Sequence, residues 1–189
     1  LHGAPLNQAR LAGSLGVSAP AVGRYVDLLV DLKLVRRLPP WTGNLGKRLT
    51  KAPKLYIRDS GLVHALLELE TRDQVLGHPV AGASYEGMVI ENLVEAAGER
   101  RTAGYFRTAD GAEIDLVLER GGQPEMAIEV KRSSAPSPDR GFGIACDDLG
   151  INERYVVYPG SERFPLRLGA QAIGLGELMG RLRKQVPPP

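Results

Sequence analysis

A chain of 189 residues suffices for one or two domains. With 43% hydrophobic and 24% charged residues its composition is globular rather than disordered, and its formal net charge is only +2. No run of about 18 apolar residues offers a membrane span. No charged-then-apolar leader opens the sequence, and a lone Cys146 excludes an internal disulfide framework and a cysteine zinc cluster. These features place the expected setting in a reducing cytoplasm. A first residue of Leu1 rather than Met is what a piece of a longer chain would show.

The small net charge hides a split. Residues 1–80 carry 11 basic against 6 acidic residues, or +5, and residues 81–189 carry 13 against 16, or −3. Between Lys33 and Arg58 there are eight basic residues and no acidic one. Such asymmetry points to nucleic acid or another acidic partner, and the alternative is a solvated basic face.

In chain order, Gln8 to Leu15 repeats apolar residues on one helical face, and Gly16 stops it by supplying a left-handed turn. Ser18 caps a second helix with Pro20 in its first turn, continuing through Val22, Tyr25, Val26, Leu29 and Val30. Leu34 to Leu38 and Leu55 to Ile57 read as two strands flanking a Gly- and Lys-rich stretch. A helical pair followed by a basic ribbon is a winged helix-turn-helix over residues 1–58, whose second helix would enter the major groove. Lys47, Arg48, Lys51 and Lys54 of the wing would contact nucleic-acid phosphates, which position a protein without specifying sequence, and Arg24, Arg36 and Arg37 are further candidate nucleic-acid-binding residues. The recognition face of Ala19, Gly23, Arg24 and Asp27 is poor in base-reading side chains, so a protein-contact role stays open beside DNA or RNA binding.

Gly61 to Glu70 reads as a short helix, and residues 59–83 as a helical connector. The third region, 84–189, opens with a helix from Ser84 to Ala97. Three strands follow, at Gly104 to Thr108, Glu113 to Leu118 and Met126 to Lys131. A three-residue loop at Gly121 to Gln123 would pair Arg120 with Pro124, and therefore set Asp115 opposite Glu129. Facing carboxylates repel, and either a divalent cation or the ammonium of Lys131 could relieve them. A helix from Asp139 to Leu149, a strand from Arg154 to Tyr158 and a closing helix from Gly176 to Lys184 complete the region. The expected class is α/β (α+β), an N-terminal winged helix-turn-helix followed by a restriction-endonuclease-like αβββαβ domain.

Glu86, then Asp115, then Glu129-Val130-Lys131 resembles the PD-(D/E)xK nuclease superfamily. That resemblance implies Mg²⁺ (or Mn²⁺) held by Asp115 and Glu129 with help from Glu86. It also implies a water made nucleophilic by the ion, and Lys131 orienting it or stabilising developing charge. The wider chain resembles the C-terminal region of a prokaryotic AAA-type ATPase family carrying the domain of unknown function 4143. The residues that carry this are Leu38-Pro39-Pro40-Trp41, Asn44 with Lys47-Arg48-Leu49, and Lys51 to Tyr56. Asp59 to Leu62, Gly82 with Tyr85-Glu86, Glu113-Ile114-Asp115 and Ile128 to Lys131 continue it. It implies a DNA-associated, nuclease-like region fused to an ATPase half, or a non-catalytic DNA-binding or partner-docking module that regulates that half. The one Gly-Lys pair, Gly46-Lys47, lacks the Gly spacing and the Ser or Thr of a phosphate-binding loop, so no ATP site is expected in these residues. His2, His64 and His78 are too scattered for a zinc motif, and Cys146 reads as buried packing.

Overall fold

The computed structural model describes residues 2–43 and 49–184, a mixed α/β chain with seven α-helices and two sheets among those residues. It divides into two compact units, Leu1–Leu38 with Ala52–Met88, and Pro39–Lys51 with Val89–Pro189. No helix among the described residues is long and apolar enough to cross a membrane.

The first unit begins with β1 (Ala4–Pro5), α1 (Gln8–Leu15) and α2 (Ala19–Asp31). Asn7 accepts the Arg10 amide at 2.9 Å to start α1. Gly16, at φ 66°, ends it, and Ser18 accepts the Ala21 amide to start α2. Each cap satisfies a backbone group that the helix itself leaves open. Ala12, Val22 and Val26 bury the facing stripes of the two helices against Leu55. Leu55 lies on β3 (Lys54–Ile57), which pairs antiparallel with β2 (Val35–Leu38) on one side and β1 on the other.

Beyond β3, Asp59 caps α3 (Ser60–Leu66) by accepting the Leu62 amide. The stretch expected as connector holds a further helix, α4 (Arg72–Gly77). Reciprocal hydrogen bonds between Thr71 and Gln74 close its first turn as a capping box. The long helix α5 (Ala81–Ala97) starts three residues earlier than its sequence pattern suggests. An open apolar groove of about 610 Å³ runs along this unit between α1, α2, α3 and Pro79 to Ala83. Leu15, Tyr25, Leu29, Leu66 and Leu67 line it while remaining exposed.

The second unit is built on a six-stranded sheet. Its strands are β4 (Thr102–Arg107), β5 (Glu113–Arg120), β6 (Gln123–Val130), β7 (Glu153–Tyr158), β8 (Phe164–Pro165) and β9 (Gln171–Gly174), in the spatial order β4-β5-β6-β7-β9-β8. The first three form an antiparallel meander. β6, β7 and β9 run parallel, and β8 closes the edge antiparallel. A parallel neighbour needs a crossover rather than a hairpin, and α6 (Arg140–Asp148) supplies it between β6 and β7.

Leu116, Val117 and Leu118 on β5 are consecutive and fully buried, as is Ile114 before Asp115. A run of consecutive buried apolar residues marks a strand covered on both faces. Phe142, Ala145 and Cys146 of α6 pack on Ile114, Val117, Ala127 and Val156 on one face of the sheet. The closing helix α7 (Leu175–Lys184) buries Leu178 and Leu182 and ends in Arg181, Arg183 and Lys184, cations suited to a helix C-terminus. Each fully buried aliphatic side chain contributes about 1.5–3 kcal/mol relative to exposure.

The stretch Pro39–Lys51, expected as the wing of the basic ribbon, groups with the second unit. The Trp41 amide donates to the Tyr105 carbonyl at 2.7 Å, and the Thr50 amide donates to the Arg107 carbonyl at 2.9 Å, so Trp41 and Thr50 lie against the edge of β4. Pairing of this kind covers an edge that would otherwise present unpaired backbone groups.

Candidate functional site

The β5–β6 hairpin sets the geometry. Its turn is two residues, Gly121 and Gly122, at φ 60° and 77°, a combination that only glycine adopts cheaply. Arg120 pairs with Gln123 and Glu119 with Pro124, one residue out of the expected frame. A bulge between Leu118 and Glu119 then restores that frame, pairing Leu118 with Met126 and Leu116 with Ile128. The ladder ends at Leu116 and Ile128, and a second bulge, where β5 runs from Ile114 to Val117 against β4, leaves Asp115 to reach the end of β6 through its side chain. The expected three-residue loop is thus a two-residue turn, and the bulges rather than the turn set the register of β5 near Asp115.

Asp115 accepts the Val130 amide at 2.9 Å, which ties its carboxylate to the end of β6. Glu129 is 6% exposed. Its carboxylate accepts the Asp139 amide at 3.1 and 3.3 Å, and the Lys131 ammonium at 2.8 Å. The same ammonium reaches the Asp139 carboxylate at 2.6 Å. Glu129 and Lys131 are two apart along an extended chain and therefore project to one side. The Lys131 amide continues the ladder by donating to the Val157 carbonyl at 2.9 Å.

Burial raises the Glu129 pKa, partly opposed by the hydrogen bond and charge of Lys131. For Lys131 burial acts downward, but the hydrogen bonds and charges of Asp139 and Glu129 outweigh it and leave the ammonium's pKa raised. The hydrogen bond from Lys131 lowers the pKa of Asp139 against a smaller effect of desolvation. Lys131 is therefore a cation throughout the neutral range, held between two carboxylates.

Asp139 is the residue that reading the sequence missed. It occupies the N-cap position of α6, yet its side chain makes no cap and turns to Lys131 instead. An Asp just before an apolar helical repeat signals a cap, so its position was legible and its partner was not. Arg167 donates twice to the Pro138 carbonyl, at 2.7 and 3.1 Å, and so anchors the residue before it. Gly141 allows α6 its approach, since a Cβ there would lie 2.8 Å from the Gly111 carbonyl oxygen.

The structure brings Asp115, Glu129 and Lys131 together with Asp139 in the second unit. Glu86 lies in the first unit, where its carboxylate accepts the Tyr56 hydroxyl and the Lys54 ammonium. Lys54, expected on phosphate, is only 3% exposed and pairs with Glu86 at 3.2 Å, so its charge is turned inward. Arg24 is exposed on α2, Arg36 is half-buried on β2, and exposed Arg37 pairs with Asp27. Lys51 is exposed in the second unit. Lys47 and Arg48 lie outside the described residues.

Two carboxylates on neighbouring strands are the hard oxygen donors that Mg²⁺ or Mn²⁺ takes alongside water and phosphate oxygens. Asp115 and Glu129 fit that chemistry. Among the described residues no group of three His, Cys, Asp or Glu side chains converges as a metal cluster. The histidines are engaged elsewhere. His2 Nδ1 accepts the Ile57 amide, His64 Nε2 meets the Ser84 hydroxyl at 2.8 Å, and His78 Nδ1 accepts the Val80 amide. Cys146 is buried, and desolvation pushes its thiol up to about 12.

Two family models match, both described as domains of unknown function, DUF8612 over residues 1–73 and DUF4143 over residues 81–178. Uncharacterised proteins of Mycobacterium bovis and Mycobacterium tuberculosis are each 43% identical to the chain over 165 residues, 87% of its length. The chain spans 37% of the length of these relatives. No solved structure matches it.

Proposed function

We propose, from the premise that the chain belongs to the family of the domain of unknown function DUF4143, that its second unit is a PD-(D/E)xK-type nuclease-like domain. In this reading it hydrolyses DNA phosphodiesters with Mg²⁺ or Mn²⁺. The first unit is its winged helix-turn-helix, and both belong to a longer AAA-type ATPase. The observation that carries this is the convergence of Asp115, Glu129 and Lys131 on paired strands, with the carboxylate first and Glu-x-Lys second. The order α5, β4, β5, β6, α6, β7 supports the restriction-endonuclease-like reading.

In this scheme Asp115 and Glu129 hold the cation, whose chemistry is to make a bound water nucleophilic and to neutralise phosphate charge. The Val130 amide orients Asp115, and the Asp139 amide orients Glu129. Lys131 acts as a fixed positive charge beside the scissile phosphate rather than as a base, because its carboxylate neighbours hold its proton. Asp139 keeps that ammonium in place. Supercoiled plasmid incubated with the protein and Mg²⁺ or Mn²⁺ should be nicked, and Glu129→Gln should abolish nicking while leaving the fold intact. Failure to nick with either metal, both in this chain and in the longer protein, overturns the reading.

A second reading, partner docking without catalysis, has its own observation. The apolar groove of the first unit exposes Leu15, Tyr25 and Leu66, side chains that soluble surfaces bury against something. The relatives are more than twice as long as the matched segment, and the remainder of such a chain is the occupant this reading names. It predicts that Leu66→Glu releases that remainder when the two parts are expressed separately and mixed, without changing DNA affinity.

A further inference from the structure

A second concave site lies on the far edge of the same sheet. Tyr155 on β7 pairs with Gln171 on β9, and Gln171 pairs with Pro165 on β8, so three side chains stand in a row across three strands. They floor a pocket of about 340 Å³ that Arg163, Phe164 and Arg181 wall. No acidic side chain lines it among the described residues.

Both cations are placed to serve an anion. The Tyr155 hydroxyl, on a ring 8% exposed, accepts one guanidinium nitrogen of Arg181 at 2.9 Å, and the guanidinium carbon sits 5.8 Å from the ring centroid. Arg181 is thereby pre-oriented, and its guanidinium presents a planar fork of N–H donors. Arg163 meets Glu177 at 3.6 Å, an exposed and weakly held pair that an incoming anion can replace. The Gln171 amide adds a neutral donor to the lining. Phe164, half-buried and edge-on to Tyr158 at 5.8 Å, presents an aromatic ring at the wall.

We infer that this pocket binds the phosphate group of a phosphorylated ligand. Two arginines match a phosphate group, dianionic as a monoester and singly charged as a backbone diester, and their planar forks suit its oxygens. The group can come from a mononucleotide, whose base would stack on Phe164, or from the backbone of a nucleic acid. The pocket is built on β7, β8, β9 and α7, not on the elements of Asp115, Glu129 and Lys131, and the inference holds whether or not those residues cleave DNA.

Calorimetric titration of the full chain in chloride buffer with inorganic phosphate, with adenosine monophosphate and with a 12-nucleotide single strand tests it. Saturable binding of at least one probe is expected, weakened about 10-fold or more by Arg181→Gln and by Arg163→Gln. Tyr155→Phe, which only releases the orientation of Arg181, should weaken it by less. Adenosine monophosphate binding more tightly than inorganic phosphate identifies the small-molecule source, and the single strand binding more tightly than the mononucleotide identifies the backbone source. Arg183, on α7 but not lining the pocket, is the control. The inference is overturned by absence of saturable binding to all three probes. It is equally overturned by Arg163→Gln and Arg181→Gln proteins of unchanged melting temperature that bind as wild type does, or by Arg183→Gln weakening binding as much as they do.

Discussion

Replacing Lys131 with Met removes the ammonium that bridges Glu129 and Asp139 while keeping an unbranched side chain one atom shorter. Glu129 is then left with a carboxylate whose side chain is 7% exposed, satisfied by the Asp139 amide alone. Taking away one partner of a fully buried ion pair costs about 3–5 kcal/mol. Here the Lys131 side chain is 27% exposed and that of Asp139 is 70% exposed, so water recovers part of the loss. A destabilisation of about 2 kcal/mol follows, or roughly 4–8 °C in melting temperature for a chain of this size. The sole tryptophan, Trp41, packs edge-on against Phe106 at 6.0 Å, so its fluorescence reports unfolding of the second unit. In a Glu129→Gln background the same Lys131→Met change should cost under about 1 kcal/mol, because no buried charge is stranded. The pH dependence carries a sign as well. A lysine whose folded pKa is raised contributes stability below its ordinary value of 10.5 and loses it as pH rises through the folded value. The gap between wild type and Lys131→Met should therefore stay open at neutral pH and close above about 10.5. It should also narrow in acid, where the raised pKa lets Glu129 take a proton. Equal cost of Lys131→Met in both backgrounds would refute the argument.

Burial lowers the pKa of His2, so the unfolded chain takes its proton first and stability falls as pH drops below the ordinary value of 6.5. Wild type should lose more melting temperature than His2→Gln between pH 7.5 and 5, and equal losses contradict that assignment. The Cys146 thiol, buried and pushed up to about 12, should resist a disulfide reagent at pH 8 in the folded protein and react fully in guanidinium. Prompt native labelling contradicts it. Gly141→Ala places a methyl 2.8 Å from the Gly111 carbonyl oxygen. That overpacking should cost about 1–3 kcal/mol in urea unfolding followed by Trp41, where a silent substitution would show that α6 has room to shift.

Much of the fold is written locally. The pattern from Gln8 through Gly16 and Ser18 identifies α1, its stop and α2, because amphipathic spacing and cap chemistry act within a few residues. The three strands of the meander follow from apolar runs between glycine turns. The capping box of Thr71 and Gln74 is equally local, and it starts α4 within the stretch that composition marks as connector. β1, β8 and β9 were not legible, since strands of two to four residues carry no periodicity of their own and exist through their neighbours.

The candidate site divides in the same way. Glu129 and Lys131 could be placed on one side from strand alternation, whereas the register of Asp115 could not, because a two-residue turn and two bulges set it. Lys54 reads as part of a basic run, and its burial depends on Glu86, 32 residues onward and invisible to local pattern. Asp139 joins the cluster only because α6 crosses back over the sheet. Trp41 and Thr50 pair with Tyr105 and Arg107 of β4, far along the chain, so the destination of that basic stretch could not be read from its composition.

The central claim is that Asp115, Glu129 and Lys131 form a cation-dependent phosphodiester site, and single-turnover cleavage of an end-labelled DNA duplex with excess protein and Mn²⁺ tests it most directly. The account predicts cleavage that needs the ion and falls by at least about 100-fold in Glu129→Gln and Asp115→Asn, while Glu153→Gln, an exposed carboxylate at the start of β7, leaves the rate unchanged. Cleavage that persists in folded Glu129→Gln protein, or a wild-type chain that binds the duplex and leaves it intact in both this chain and the longer protein, would contradict it.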